Sequence, residues 1–213
     1  MDKRRSVLQL WPWLAAALSG VLYAACFAPI NQPWLCWFAL TPLLAAVWFS
    51  GKNSKRRWLH NLLLGYVAGF VFFTIVFSWL GSLGALFDNA FLHGLPALLA
   101  IYLALYLAAW SGLAGWIRPT EPSSEPEAPP SISNWDSMLA RATTNASEAP
   151  VPKSPWLKST SNLILAFSLA STWTALEWIR GWLFGGFGWN GLGVALHSNW
   201  PIIQIVEYTI FNV

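Results

Sequence analysis

Leu176-Glu177-Trp178-Ile179-Arg180-Gly181-Trp182 closes an apolar run that starts near residue 162, and it places an acid and a base where such a run should hold neither. The run is long enough to cross a bilayer, for which roughly 20 residues are needed. Glu177 and Arg180 stand three apart, so on a helix they share a face and can pair. An ionisable residue inside a membrane segment is costly. It faces a bundle interior, a water-filled cavity or a partner charge, which makes the pair a functional-site candidate. Trp178 and Trp182 stand four apart, and such rings suit the headgroup level of a bilayer. Beyond them Gly185, Gly186, Gly188, Gly191 and Gly193 break the helix and let the backbone turn or approach something closely. Two readings stand side by side. One is a structural salt bridge with an aromatic belt at the end of a helix. The other is a cluster facing lipid or substrate, with Glu177 and Arg180 bracing the bundle and Trp182, Phe187, Trp189 and Asn190 lining a lateral opening.

Composition agrees with a membrane setting. The chain is 56% hydrophobic and 10% charged, with sixteen Trp. Soluble domains average about 25% charged residues. The formal charge of +3 is read by position, because Lys and Arg beside the spans set orientation. It gives no reason to propose nucleic acid. Cys26 and Cys36 both lie inside apolar runs, which gives neither a disulfide framework nor a metal spacing; they are expected to pack as small apolar residues. His93 has no second His, Cys or carboxylate at metal-ligand spacing. Neither a metal nor a cofactor is implied.

The expected fold is an all-α polytopic membrane protein. It has five complete transmembrane helices, the start of a sixth, and a disordered cytoplasmic Pro-rich linker. The spans are expected near residues 7–28, 34–49, 59–80, 95–117 and 162–184. Pro12 is expected near the start of the first, where a missing N–H costs little. The tight turn Phe27-Ala28-Pro29-Ile30-Asn31-Gln32-Pro33-Trp34 follows. Pro42 should kink the second span. Gly65 and Gly69 form a G-x-x-x-G pair that allows another helix to come close. Tyr102 and Tyr106 put two hydroxyls on one face. The segment 118–160, rich in Pro, Ser, Thr and mixed charge, cannot bury enough apolar surface to fold alone. The chain therefore divides into 1–117, the linker 118–160, and 161–213. The apolar run from Pro201 carries Glu207 and stops at Val213, so the chain is expected to end inside an element.

Basic residues then set the orientation. Lys3, Arg4 and Arg5 precede the first span, and Lys52, Lys55, Arg56 and Arg57 follow the second. Both groups belong on the cytoplasmic side by the positive-inside rule. Asp88 and His93 then fall outside, the linker inside, and the 177–189 region at the outer face of the membrane.

The motif Leu176-Glu177-Trp178-Ile179-Arg180-Gly181-Trp182 with Gly186-Phe187-Gly188-Trp189-Asn190 and Leu192-Gly193 resembles the membrane-domain signature of apolipoprotein N-acyltransferase. Leu22-Tyr23-Ala24-Ala25-Cys26-Phe27-Ala28-Pro29 with Trp34 and Pro42 resembles that family's first hairpin. Ala100-Ile101-Tyr102-Leu103-Ala104-Leu105-Tyr106 resembles its fourth span. The likeness covers nearly the whole chain except the linker. Gly188 stands where the family usually has Pro, and the linker is longer than the family's connection. The resemblance implies a two-step acyl transfer. A Cys thiolate takes an acyl chain from a phospholipid as a thioester, and the N-terminal amine of a diacylglyceryl-cysteine apolipoprotein then accepts it, with a Glu as base and a Lys at the oxyanion. It also places that Glu, Lys and Cys in a nitrilase-like outer domain beyond Val213, so no catalytic group is assigned in this chain. Glu177 matches the membrane signature and is not that base.

On this reading the chain is the membrane part of the enzyme, without activity alone. Its partners are a phospholipid acyl donor, a diacylglyceryl-modified apolipoprotein and membrane lipid. The alternatives are a non-enzymatic membrane anchor or truncated product, and a transporter subunit. A transporter would want ionisable residues recurring in several spans or paired broken helices.

Overall fold

The first basic residues do not wait outside the membrane segment; they extend its helix. Lys, Arg, Leu and Gln are good helix formers, and α1 runs over Asp2–Ala24. Pro12 therefore lies inside α1 rather than near its start. The computed structural model describes residues 2–51, 56–82, 86–88, 90–117, 155–197, 199, 201 and 204. Four further helices follow: α2 over Thr41–Phe49, α3 over Arg57–Val76, α4 over Leu95–Ala114 and α5 over Pro155–Trp182. Short 3-10 turns cover Pro33–Trp37, Ser78–Gly81, Ala90–Gly94, Leu183–Gly185 and Leu192–Leu196. Among the described residues there is no strand.

The expected turn after α1 is present. Gln32 N–H donates to the Ala25 carbonyl at 3.0 Å and Asn31 N–H to Phe27 at 2.8 Å. Asn31 has φ 56°, a left-handed conformation that Asn tolerates better than most residues. The second span differs from expectation. Pro33 opens a 3-10 turn and Pro42 sits in the first turn of α2. Pro suits such starts because its missing N–H is unneeded there, so Pro42 begins a helix instead of kinking one. Nine residues rise roughly 13 Å, short of the ~30 Å hydrocarbon core. The N–H of Leu43, in that first turn, is met by Ser19 Oγ of α1 at 2.8 Å.

α1 and α3 run parallel, as the ring contacts Trp13–His60 and Tyr23–Phe72 show. The broken segment between them is therefore the return path. α3 and α4 run antiparallel and touch along small residues. A Cβ on Gly65 would lie 2.9 Å from Ala108 Cα, and one on Gly69 would lie 2.9 Å from Ala104 Cα. The G-x-x-x-G pair thus faces Ala104, Ala108 and Ser111 of α4. Ser111 Oγ donates to the Asn61 carbonyl at 2.8 Å. α3 and α4 are both long and apolar enough to cross a membrane.

Polarity is arranged inside out. Ser19, Asn61, Ser111 and Arg180 are buried, while Leu10, Leu14, Leu18 and Val21 of α1 and Leu98, Ile101 and Leu105 of α4 are exposed. Cys26 and Cys36 are buried, unpaired thiols, one in the turn after α1 and the other in the first 3-10 turn.

α5 begins at Pro155, earlier than the boundary expected at 161. The chain forms two compact units, residues 119–167 and the remainder; the described part of the first, 155–167, is helical. The expected disordered linker lies outside the described residues up to 154, as does nearly all of the expected sixth helix, of which Pro201 and Gln204 are helical.

Candidate functional site

α5 ends where glycines begin. Gly185 and Gly186 have φ 92° and 77°, values that side-chain-bearing residues rarely adopt. They reverse the chain, and Phe187 N–H then donates to the Arg180 carbonyl at 2.8 Å. A Cβ on Gly186 would collide with the Gly181 carbonyl. The loop passes Asn190, with φ 58°, and returns over the helix end that it left.

Two hydrogen bonds tie this loop down. Leu192 N–H donates to Glu177 Oε1 at 2.7 Å. The Tyr23 hydroxyl donates to the Asn190 carbonyl at 3.3 Å. Between them sits Gly191, where a Cβ would lie 3.3 Å from Glu177 Oε1, so the backbone approaches the carboxylate closely. Glu177 and Arg180 do meet, but loosely: Arg180 Nη2 stands 3.9 Å from Glu177 Oε1. The short contact of the carboxylate is to the loop backbone. A charge-assisted hydrogen bond of this kind is about twice as strong as a neutral one.

Arg180 is 4% exposed. Its Cζ lies 5.6 Å from the centre of the Phe73 ring, a cation–π distance. Beside it is a cavity of about 20 Å³ walled by Tyr23, Phe73, Tyr106, Trp110, Trp173, Glu177 and Arg180, with Leu107 and Leu176. Trp173 packs edge-on to Trp110 at 5.1 Å and lies 5.8 Å from Tyr23. Trp110 Nε1 donates to the Leu169 carbonyl at 3.2 Å. The Tyr102 and Tyr106 hydroxyls meet each other at 2.6 Å along α4.

The six residues singled out in the sequence fall into separate groups. Glu177 and Arg180 share the cavity wall. Phe187 packs edge-on to Phe77 at 5.2 Å, and Trp189 stacks with Trp79 at 6.4 Å. Trp182 pairs with Trp178 at 5.6 Å, and both rings are exposed. Asn190 contributes its carbonyl. The structure adds Tyr23, Phe73 and Trp173, aromatic residues that apolar runs hide, and brings Tyr106, already noted for its hydroxyl, to the same wall. The usable signal was spacing: Trp173, Leu176 and Arg180 follow a helical face period.

Residues 19–209 match the family described as the apolipoprotein N-acyltransferase N-terminal domain. The chain is 30% identical over 212 residues to the apolipoprotein N-acyltransferase of Chromobacterium violaceum, covering 92% of this chain and 31% of that protein. It is 28% identical over 180 residues to the one of Methylococcus capsulatus, covering 84% and 27%. It is 26% identical over 200 residues to the one of Geobacter metallireducens, covering 92% and 29%. The chain thus spans about a third of the length of these curated relatives. With α2 to α5 and the glycine loop inside the matched region, the chain belongs to the apolipoprotein N-acyltransferase N-terminal domain family.

Proposed function

We propose that this chain is the membrane part of an apolipoprotein N-acyltransferase, which moves an acyl chain from a phospholipid to the N-terminal diacylglyceryl-cysteine of lipoproteins. The observation that carries this reading is the family match along residues 19–209. The inside-out polarity supports it, since lipid is the solvent in which exposed Leu and buried Ser, Asn and Arg are favoured. On this reading the chain crosses five times, by α1, the broken return over Pro33–Phe49, α3, α4 and α5, of which α3 and α4 are each long and apolar enough to cross a membrane. The N-terminus and the linker are cytoplasmic, and the loop after α5 lies at the outer face of a bacterial inner membrane. There Glu177 holds the loop, while Trp182, Phe187, Trp189 and Asn190 border the approach of lipid substrates. The acyl-enzyme chemistry, through a Cys thioester, takes place on groups outside this chain.

The test uses the native membrane protein captured with an antibody to the 119–152 segment. It is incubated with phospholipid and a diacylglyceryl-cysteine peptide, and the peptide is weighed by mass spectrometry. The expected product gains one acyl chain by amide linkage, and the captured protein is heavier than 23.7 kDa. A stable captured protein that leaves the peptide unmodified would sink the reading.

A further inference from the structure

Two residues of the cavity wall carry donors that the loop does not use. Trp173 Nε1 and Arg180 Nε are buried N–H groups with no hydrogen-bond partner among the described residues. Trp173 is 9% exposed and Arg180 4%, and both wall the same cavity. They stand two turns apart on one face of α5, and helical side chains lean toward the N-terminus, which carries the long Arg180 chain back toward Trp173. An indole N–H and a guanidinium can donate but never accept. Glu177 Oε1 takes its short hydrogen bond from Leu192 N–H at 2.7 Å and stands 3.9 Å from Arg180 Nη2, so it leaves Arg180 Nε unmet. The Tyr106 hydroxyl is held by Tyr102. The other walls are aromatic or aliphatic.

The complement of these donors is an oxygen with lone pairs and negative charge. A volume of 20 Å³ suits one such oxygen, since a single water needs about 10–15 Å³; the remainder of the ligand stays outside. Glu177 keeps the net charge of the site small, which favours a singly charged group. We propose that Arg180 Nε and Trp173 Nε1 form an anion site that holds one phosphate oxygen, carried by a phosphodiester lipid or by free phosphate. The site goes beyond the acyl-transfer reading and does not depend on it, because binding is measured without turnover.

The test is native mass spectrometry of the membrane protein in non-ionic detergent. Separate arms contain dioleoyl phosphatidylglycerol, dioleoylglycerol and inorganic phosphate. The phosphodiester lipid is expected to be retained roughly tenfold better than the diacylglycerol, the loss expected for a hydrogen-bonded charge. Trp173→Phe, which removes the N–H and keeps a ring, lowers that retention several-fold at an unchanged melting temperature. Arg180→Gln lowers it further, and Arg180→Lys restores it only in part. Displacement of the lipid by inorganic phosphate would identify the free anion as the ligand, with the same two donors responsible. Equal retention of the two lipids, or Trp173→Phe binding as the unaltered protein does, would overturn the site. If Arg180→Gln fails to fold, Trp173→Phe decides alone.

Discussion

The α3–α4 contact and the C-terminal end of α5 solve packing in opposite ways. α3 and α4 meet through absent side chains: Gly65 and Gly69 let their backbones approach Ala104, Ala108 and Ser111. α5 meets its neighbours through large rings, Trp173 against Trp110 and Tyr23. Small residues permit close axes and continuous van der Waals contact. Large ones hold helices further apart and leave gaps between them. The first region is therefore filled. The second keeps a cavity with a buried guanidinium, and a loop pinned by one carboxylate oxygen and one tyrosine hydroxyl.

Breaking the filled region should have the largest effect. Gly65→Leu forces a side chain into the α4 backbone, and overpacking of this kind costs about 3 kcal/mol. The expected outcome is loss of the folded protein in non-ionic detergent, seen as aggregation in size-exclusion chromatography. A monodisperse Gly65→Leu protein with an unchanged melting temperature would show that the two helices are not close.

The open region should give way locally. Glu177→Ala removes the acceptor of the Leu192 N–H, and a lost hydrogen bond to a charged group costs about 2 kcal/mol. Hydrogen exchange should speed up at Leu192 and its neighbours, with little change in α3 and α4. Glu177→Gln keeps an acceptor oxygen and should retain most of the protection. Uniform loss across all helices would mean that the loop is no separate unit.

The smallest effect sharpens the contrast. Tyr23→Phe keeps the ring, stacked on Phe72 at 3.9 Å, and removes only the bond to the Asn190 carbonyl. A neutral hydrogen bond of 3.3 Å contributes about 0.5–1 kcal/mol. Proteolysis at residues 183–196 should quicken slightly while the melting temperature hardly moves. A large fall in melting temperature would place the weight of Tyr23 in its hydroxyl rather than its ring.

This contrast also explains what was legible beforehand. α3 and α4 could be read closely because unbroken apolar runs between Gly, Pro and basic residues mark such helices well. The G-x-x-x-G pair was visible, but its partner helix was not, since spacing carries no information about what lies opposite. The second span misled because a Pro reads the same whether it kinks a helix or starts one. At the site, Glu177 and Arg180 stood out as charges among apolar neighbours, and their shared face was correct. That Glu177 binds the Leu192 backbone more closely than Arg180 depends on how the glycine loop folds back, which residue types do not encode. Tyr23 and Trp173 were hidden because an aromatic residue in an apolar run looks the same whether it fills a core or walls a cavity.

The Tyr23 contact has a consequence for assembly. Its hydroxyl and the Asn190 carbonyl are separated by 167 positions in the chain. A ribosome adds about 5–20 residues per second, so Tyr23 waits roughly ten to thirty seconds for its acceptor to be made. Throughout that interval the first helix and its neighbours must hold their places without the loop. The folding of the loop back over the end of α5 is thus a late event in biogenesis, and an early arrest of synthesis leaves the first helices packed without it.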